Sequence, residues 1–152
     1  MTLQALGFIG CGKMGTGLVE AAAVAGFEVV AVKATPGRLD GVTSRIAKSM
    51  GRAVAGGKLT PEARDQAMAR IVVTADMGQL AVASLVVEST IESLADKQRI
   101  LSHVERLLPP STILASNTSS VPLVQLAAVL ERPQRFLGLH FFSPAHRDSG
   151  EW

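Results

Sequence analysis

Short runs of consecutive apolar residues alternate with longer stretches in which apolar residues recur every three or four positions. The runs fall at residues 5–9, 28–32, 71–74, 85–88, 112–116 and 136–140. They are continuous rather than alternating, which predicts strands buried on both faces, as in a parallel sheet. The stretches between them predict helices over 14–25, 38–54, 94–108 and 122–130, with a further helix opening at Pro61. Punctuation agrees with these limits. Gly26 follows the first helix as a C-terminal cap signal, Pro36-Gly37 is a turn, and Gly56-Gly57 ends the second helix. Thr60 is an N-cap with Pro61 at the first helical position, and Ser93 caps the next helix with Asp96 three residues on. That helix buries Leu94, Ile100, Leu101, Val104, Leu107 and Leu108 on one face, and Pro109-Pro110 stops it. Strands alternating with helices predict an α/β architecture.

The first strand runs into Gly10-Cys11-Gly12-Lys13-Met14-Gly15 and then directly into a helix. Strand, G-x-G-x-x-G turn and helix in that order predict a dinucleotide site. Gly10 makes the tight turn, Gly12 lets backbone approach a pyrophosphate, and Gly15 lets helix and strand pack closely. The N–H groups at the helix start face the phosphates with a favourable dipole. The alternative is a glycine-rich turn with no ligand. With the turn on the first strand, the expected fold is a doubly wound, Rossmann-like parallel sheet.

Composition narrows the class. The chain has 152 residues, enough for one domain with a real core. Apolar residues make up 47% and charged residues 18%, which places it with globular proteins and not disordered ones. A net charge of +2, with no long basic run, argues against nucleic acid or membrane surfaces as general partners. No apolar stretch reaches the ~18 residues of a membrane helix. The start of the sequence lacks a signal-peptide pattern, so a cytoplasmic location is expected. Cys11 is the single cysteine, which excludes an internal disulfide and a cysteine-cluster metal site; no metal is expected.

In such a fold the ligand lies at the carboxyl ends of the strands. That gathers residues 10–15, 33–35, 89–97, 116–120 and 140–143 around one cleft. NAD sites place an acid at the end of the second strand, about 20 residues past the first glycine, to hold the ribose 2′-hydroxyl. Here Lys33 stands there. A cation cannot accept from that hydroxyl but can pair with a 2′-phosphate, with Thr35 and Arg38 in reach. Alternatively Lys33 points into solvent and backbone holds the ribose. NAD and NADP both remain open on this ground.

The chain resembles the 3-hydroxyacyl-CoA dehydrogenase family, in particular its 3-hydroxybutyryl-CoA branch. The residues that carry the resemblance are Gly10 to Gly15, Leu85-Val-Val-Glu-Ser-Thr-Ile-Glu92 with Lys97, Ile113-Leu-Ala-Ser-Asn-Thr-Ser-Ser120, and Arg132-Pro133 through Gly138-Leu-His-Phe-Phe-Ser-Pro144. The resemblance implies interconversion of 3-hydroxyacyl-CoA and 3-oxoacyl-CoA with NAD or NADP. It implies that Gly10, Gly12 and Gly15 cradle the pyrophosphate with Met14 packed beneath. Glu92 and Lys97 then lie near the nicotinamide and its ribose. Asn117 and Ser119 sit beside the reacting carbon, with Ser119 contacting the substrate 3-oxygen. Ser49 and Lys58 match positions that touch coenzyme A, and His140 is the acid–base residue, its ordinary pKa lying near neutrality. Read without the family, His140 is a satisfied core histidine, residues 116–120 are a polar strand end, and Glu92 and Lys97 are solvated charges.

Three departures from the family pattern follow. Lys33 replaces its usual acid. Ser143, counted with the cofactor-binding residues, replaces the asparagine of the His-Phe-Phe-Asn-Pro block with a shorter side chain that lacks an amide donor. The glutamate expected twelve positions after the histidine, to orient it, is replaced by Trp152. Residues 1–144 are therefore expected to be the dinucleotide-binding domain and 145–152 a divergent tail, with the sheet incomplete at its C-terminal end and no helical substrate domain. Acyl-CoA or an acyl carrier protein is the expected substrate, and a complementing helical domain or a homo-oligomer the expected partner. Two other readings stand beside this one. One is the 3-hydroxy-acid dehydrogenase or imine reductase group, which shares Gly-Phe-Ile-Gly-x-Gly-x-Met-Gly but not the later blocks. The other is a non-catalytic or truncated dinucleotide-binding module.

Overall fold

The computed structural model describes residues 5–142. Strands β1 (Ala5–Ile9), β2 (Glu28–Val32), β3 (Ile71–Thr74), β4 (Leu85–Glu88), β5 (Ile113–Ser116) and β6 (Phe136–Gly138) form one sheet in the order β3-β2-β1-β4-β5-β6. Every neighbouring pair is parallel. Helices α1 (Lys13–Val24), α2 (Asp40–Ala55), α3 (Pro61–Ala69), α4 (Leu94–Leu107) and α5 (Leu123–Ala127) make the crossovers. Strand order reverses between β1 and β4, and a doubly wound sheet opens a crevice at that switch.

The continuous apolar strands feed two cores. Leu6, Phe8, Val29, Ala31, Val87 and Ala115 face α1, α2 and α3, where they meet Leu18, Val19, Ile46 and Met50. Their sequence neighbours Ile9, Val30, Val32, Val86 and Leu114 face the other way, onto Leu101 and Val104 of α4 and Leu126 of α5. The period-two alternation of strand side chains thus sends consecutive apolar residues to opposite sides. Gly7 is small because Leu80 and Val86 fill the place of its side chain.

The predicted caps form. Ala63 N–H donates to Thr60 Oγ1 at 3.1 Å, and Asp96 N–H to Ser93 Oγ at 3.4 Å. Some limits differ from expectation. Helix α5 is shorter than 122–130, and β6 stops at Gly138 rather than residue 140. Leu139 N–H still reaches the Ser116 carbonyl at 3.1 Å, but Phe141 N–H turns to the Asn117 side chain, so the chain leaves the sheet there. Two 3-10 helices, Met77–Val82 and Pro133–Arg135, were not expected; each lies on a short stretch with no helical period.

Candidate functional site

At the switch point the carboxyl ends of the strands open into a cleft of about 770 Å³, lined by residues from each of the five predicted segments together with Arg45. This volume suits a cofactor-sized ligand, for which pockets run about 300–1,000 Å³.

The glycine turn forms one wall. Gly10 has φ +105°, a conformation that favours glycine, and a side chain there would strike the Ser89 carbonyl. A side chain at Gly15 would overlap the Gly10 carbonyl, so this glycine sets the close approach of α1 to β1. Gly12 is different. It caps α1 with an ordinary φ of −73°, and nothing lies within 4 Å of where its Cβ would be. No contact inside the protein demands glycine at this position; open cleft space does. The first turn of α1 has no side-chain cap and no acidic residue, which leaves its amides and dipole to meet an anion. The turn therefore fits a dinucleotide pyrophosphate. Cys11 lies in it, and burial pushes its thiol up from the ordinary 9.0, against the pull of Arg45 and Lys33.

Lys33 reaches the cleft, but its ammonium is tied into its own loop. It donates to the Thr35 carbonyl at 2.7 Å, Thr35 Oγ1 at 3.0 Å and the Pro36 carbonyl at 2.6 Å. Three acceptors match the three donors of an ammonium. Arg38 does not join it; its guanidinium pairs with Asp40 and is 88% exposed. Thr35 thus joins Lys33 as expected, and the expectation that Arg38 joins them is corrected. The cation that does converge is Arg45 of α2, whose Nη2 donates to the Cys11 carbonyl at 2.8 Å. Sequence reasoning missed Arg45 because it is one of several cations on the polar face of an amphipathic helix.

The opposite wall comes from β4, β5 and the residues after β6. Asn117 is buried; its Nδ2 donates to Ser89 Oγ at 3.3 Å and its Oδ1 accepts from Phe141 N–H at 2.8 Å. Glu92 accepts from Thr118 Oγ1 at 2.6 Å, Ser120 Oγ at 3.1 Å and Ser119 N–H at 3.3 Å. Partial burial pushes the Glu92 carboxyl up, but the Thr118 hydroxyl, the Lys97 charge and the remaining hydrogen bonds outweigh it and hold the carboxyl below its ordinary 4.5. Ser119 and His140, both exposed, face the cleft on this side. The His140 ring packs on Phe142 with centroids 4.7 Å apart, and among the described residues no carboxylate bonds to it.

Other expected site residues lie elsewhere. Lys97 does not open onto the cleft. It is 0% exposed, and its ammonium sits 2.7 Å from the carboxylate of Glu88, also 0% exposed. Lys97 was expected near the nicotinamide and its ribose; it lies behind the cleft lining rather than in it, because a buried ammonium takes the nearest buried carboxylate. Ser49 is bonded to Glu20 of α1 at 2.8 Å and Lys58 lies beyond α2; neither lines the cleft. Ser143 and the expected tail 145–152 lie outside the described residues.

Known proteins share this sequence and geometry. The profile described as "3-hydroxyacyl-CoA dehydrogenase, NAD binding domain" matches residues 5–147. The chain belongs to that family. Over 143 residues this NAD-binding domain is 41% identical to the 3-hydroxybutyryl-CoA dehydrogenase of Mycobacterium tuberculosis, covering 93% of this chain and 50% of that protein. The crystal structure of M. tuberculosis FadB2 superposes with a TM-score of 0.91 at 40% identity, over 95% of this chain and 51% of that one. The structure of (S)-3-hydroxybutyryl-CoA dehydrogenase PaaH1 from Ralstonia eutropha gives 0.90 at 34% identity, over 95% and 51%. The NAD-binding domain thus spans about half the length of the curated relatives it matches.

Proposed function

We propose that this chain is the cofactor-holding half of a 3-hydroxyacyl-CoA dehydrogenase that interconverts 3-hydroxybutyryl-CoA, or a similar short 3-hydroxyacyl-CoA, with its 3-oxo form. The observation that carries the reading is one cleft with a pyrophosphate cradle on one wall and Asn117, Ser119 and His140 on the other. A bound nicotinamide supplies the hydride acceptor or donor. Gly10, Gly12, Met14 and Gly15 hold the dinucleotide phosphates. Ser119 orients the substrate 3-oxygen through its hydroxyl. His140 takes the proton of the 3-hydroxyl in one direction and returns it in the other, which an imidazole does well near neutral pH. Asn117 fixes His140 by holding the Phe141 amide. Ser49 and Lys58, on the α2 side, touch the coenzyme A portion outside the cleft.

The adenosine end favours the 2′-phosphorylated cofactor in our reading, although the family profile is described as NAD binding. Asp40 is engaged with Arg38, and the cations Lys33 and Arg45 line that end. A phosphate makes charge-assisted bonds roughly twice as strong as neutral ones, so it competes well against the Thr35 and Pro36 carbonyls for Lys33.

Titration of the chain with NADH and NADPH, followed by an acetoacetyl-CoA reduction assay, tests the proposal. Tight dinucleotide binding with His140-dependent reduction supports it; no dinucleotide binding refutes it. Binding with no reduction favours the second reading, a dinucleotide-binding module, for which the motive is that no described carboxylate holds His140.

A further inference from the structure

Helix α4 supplies a stretch of cleft wall that the proposed chemistry leaves unassigned. Asp96, Arg99 and Ile100, at spacings of three and four, share one face of its first turns. All three line the cleft. Ile100 belongs to the same apolar cluster as Val32, the last residue of β2, and Ala34 packs against that cluster. This face of α4 therefore stands at the β2 end of the cleft, where a dinucleotide places its adenosine. Ala34 and Pro36, from the loop after β2, line the cleft too, and so does Ile91, a large apolar side chain left 65% exposed. A flat apolar ligand surface would cover them.

Arg99 is the cation on this wall. Lys33 and Arg45 are held by backbone carbonyls of the loops that carry the site. Arg99 is held differently: its Nη2 donates to Asp96 Oδ1 at 3.3 Å, in a pair whose side chains are 74% and 38% exposed. An exposed helix pair of this kind is weak, so a better partner draws the guanidinium away. We propose that Arg99 is a binding residue for the adenine ring: its guanidinium lies along one face of the adenine, and Ala34 and Pro36 meet the other. This rests on reading the cleft as a dinucleotide site. The guanidinium is planar, delocalised and weakly hydrated, and it stacks on aromatic faces where a compact ammonium does not. Asp96 keeps the side chain on the rim of the empty cleft.

Stacking and simple charge attraction part company in a set of substitutions. The probes are NADH, NADPH and ADP-ribose, which keeps the adenosine and pyrophosphate but has no nicotinamide. Arg99→Gln should weaken all three by about the same factor, near fivefold. The factor is common because the adenine is common. Arg99→Phe restores a flat stacking surface without charge and should bind each probe within about twofold of the parent. Arg99→Lys keeps the charge without the plane and should remain about threefold weaker. Thermal melts of the three variants should stay close to the parent, since an exposed side chain is being changed. Three outcomes would overturn the proposal. Unchanged ADP-ribose affinity in Arg99→Gln would remove Arg99 from the adenine. Full recovery in Arg99→Lys with none in Arg99→Phe would make it a charge that attracts phosphate at a distance. A loss for NADPH well beyond that for NADH would assign it to the 2′-phosphate. In each of these the parent still binds dinucleotide, so the functional reading survives. A parent that binds none of the three probes brings down both.

Discussion

Asn117 accepts the Phe141 N–H at 2.8 Å, and this bond takes the chain out of the sheet one residue after His140. The amide of Asn117 is therefore a bracket between the end of β5 and the segment that carries the imidazole. Asn117→Ala leaves a backbone donor without its partner, which costs about 1–3 kcal/mol where the donor is shielded. Hydrogen exchange at the Phe141 amide should speed up at least about tenfold, the rate factor for ~1.4 kcal/mol. Exchange unchanged from the parent would remove the bracket role.

Two glycines of the turn should respond in opposite ways. Gly12 has free space around its missing Cβ, and its φ is ordinary. Gly12→Val should leave the melting temperature nearly intact, within the about ±0.5 kcal/mol of an unconstrained surface change, and weaken NADH binding more than tenfold. Gly15→Ala places a methyl on the Gly10 carbonyl, so it should cost about 1–3 kcal/mol of stability as an overpacking change. Thermal melts and NADH titration of both variants check this; a Gly12→Val protein that binds as the parent does would detach the turn from the cofactor.

Much of this was legible in the sequence. Continuous apolar runs marked the six described strands, because residues buried on both faces leave no alternation. The glycine turn placed the cleft. Legibility failed where a role depends on which group a side chain meets. Lys97 and Arg45 are both cations on amphipathic helices; one is sealed against Glu88 and the other bends over Cys11. No spacing rule separates them. Glu88 closes an apolar run and reads as the polar end of a strand, although it is 0% exposed. Lys33 lines the cleft, as its place just after β2 led one to expect, but its three loop acceptors are set by the local turn.

Glu92 gives a pH dependence with a definite sign. Its carboxyl is held below the ordinary 4.5 despite the opposing effect of burial, by Thr118, Lys97, Ser119 and Ser120. A group whose folded pKa is depressed contributes stability above its unfolded pKa and loses it as pH falls through the folded one. The contribution is therefore complete at neutral pH and fades below about 4.5. Glu92→Gln should be less stable than the parent at pH 7, with the difference shrinking in acid. Urea melts across that range measure it; a difference that is constant with pH would contradict the assignment.

The cofactor preference should turn on Lys33. Its ammonium already has three acceptors, but all are neutral oxygens of its own loop, and Asp40 is held away by Arg38. A 2′-phosphate offers a charged acceptor instead, with Arg45 on the same side of the cleft. The parent should bind NADPH more tightly than NADH at low salt. Lys33→Asp supplies an acceptor for the ribose hydroxyl and repels the phosphate, so the ratio should invert, moving by about a hundredfold for a change near 2.7 kcal/mol. Lys33→Met is the control for the loop, since it removes the three bonds without adding an acid; both cofactors should weaken, NADPH the more. Raising ionic strength should erode the NADPH preference, because the pairing is between partly exposed charges. If the NADPH to NADH ratio is the same in all three proteins, Lys33 serves its loop alone and the ribose is held by other groups.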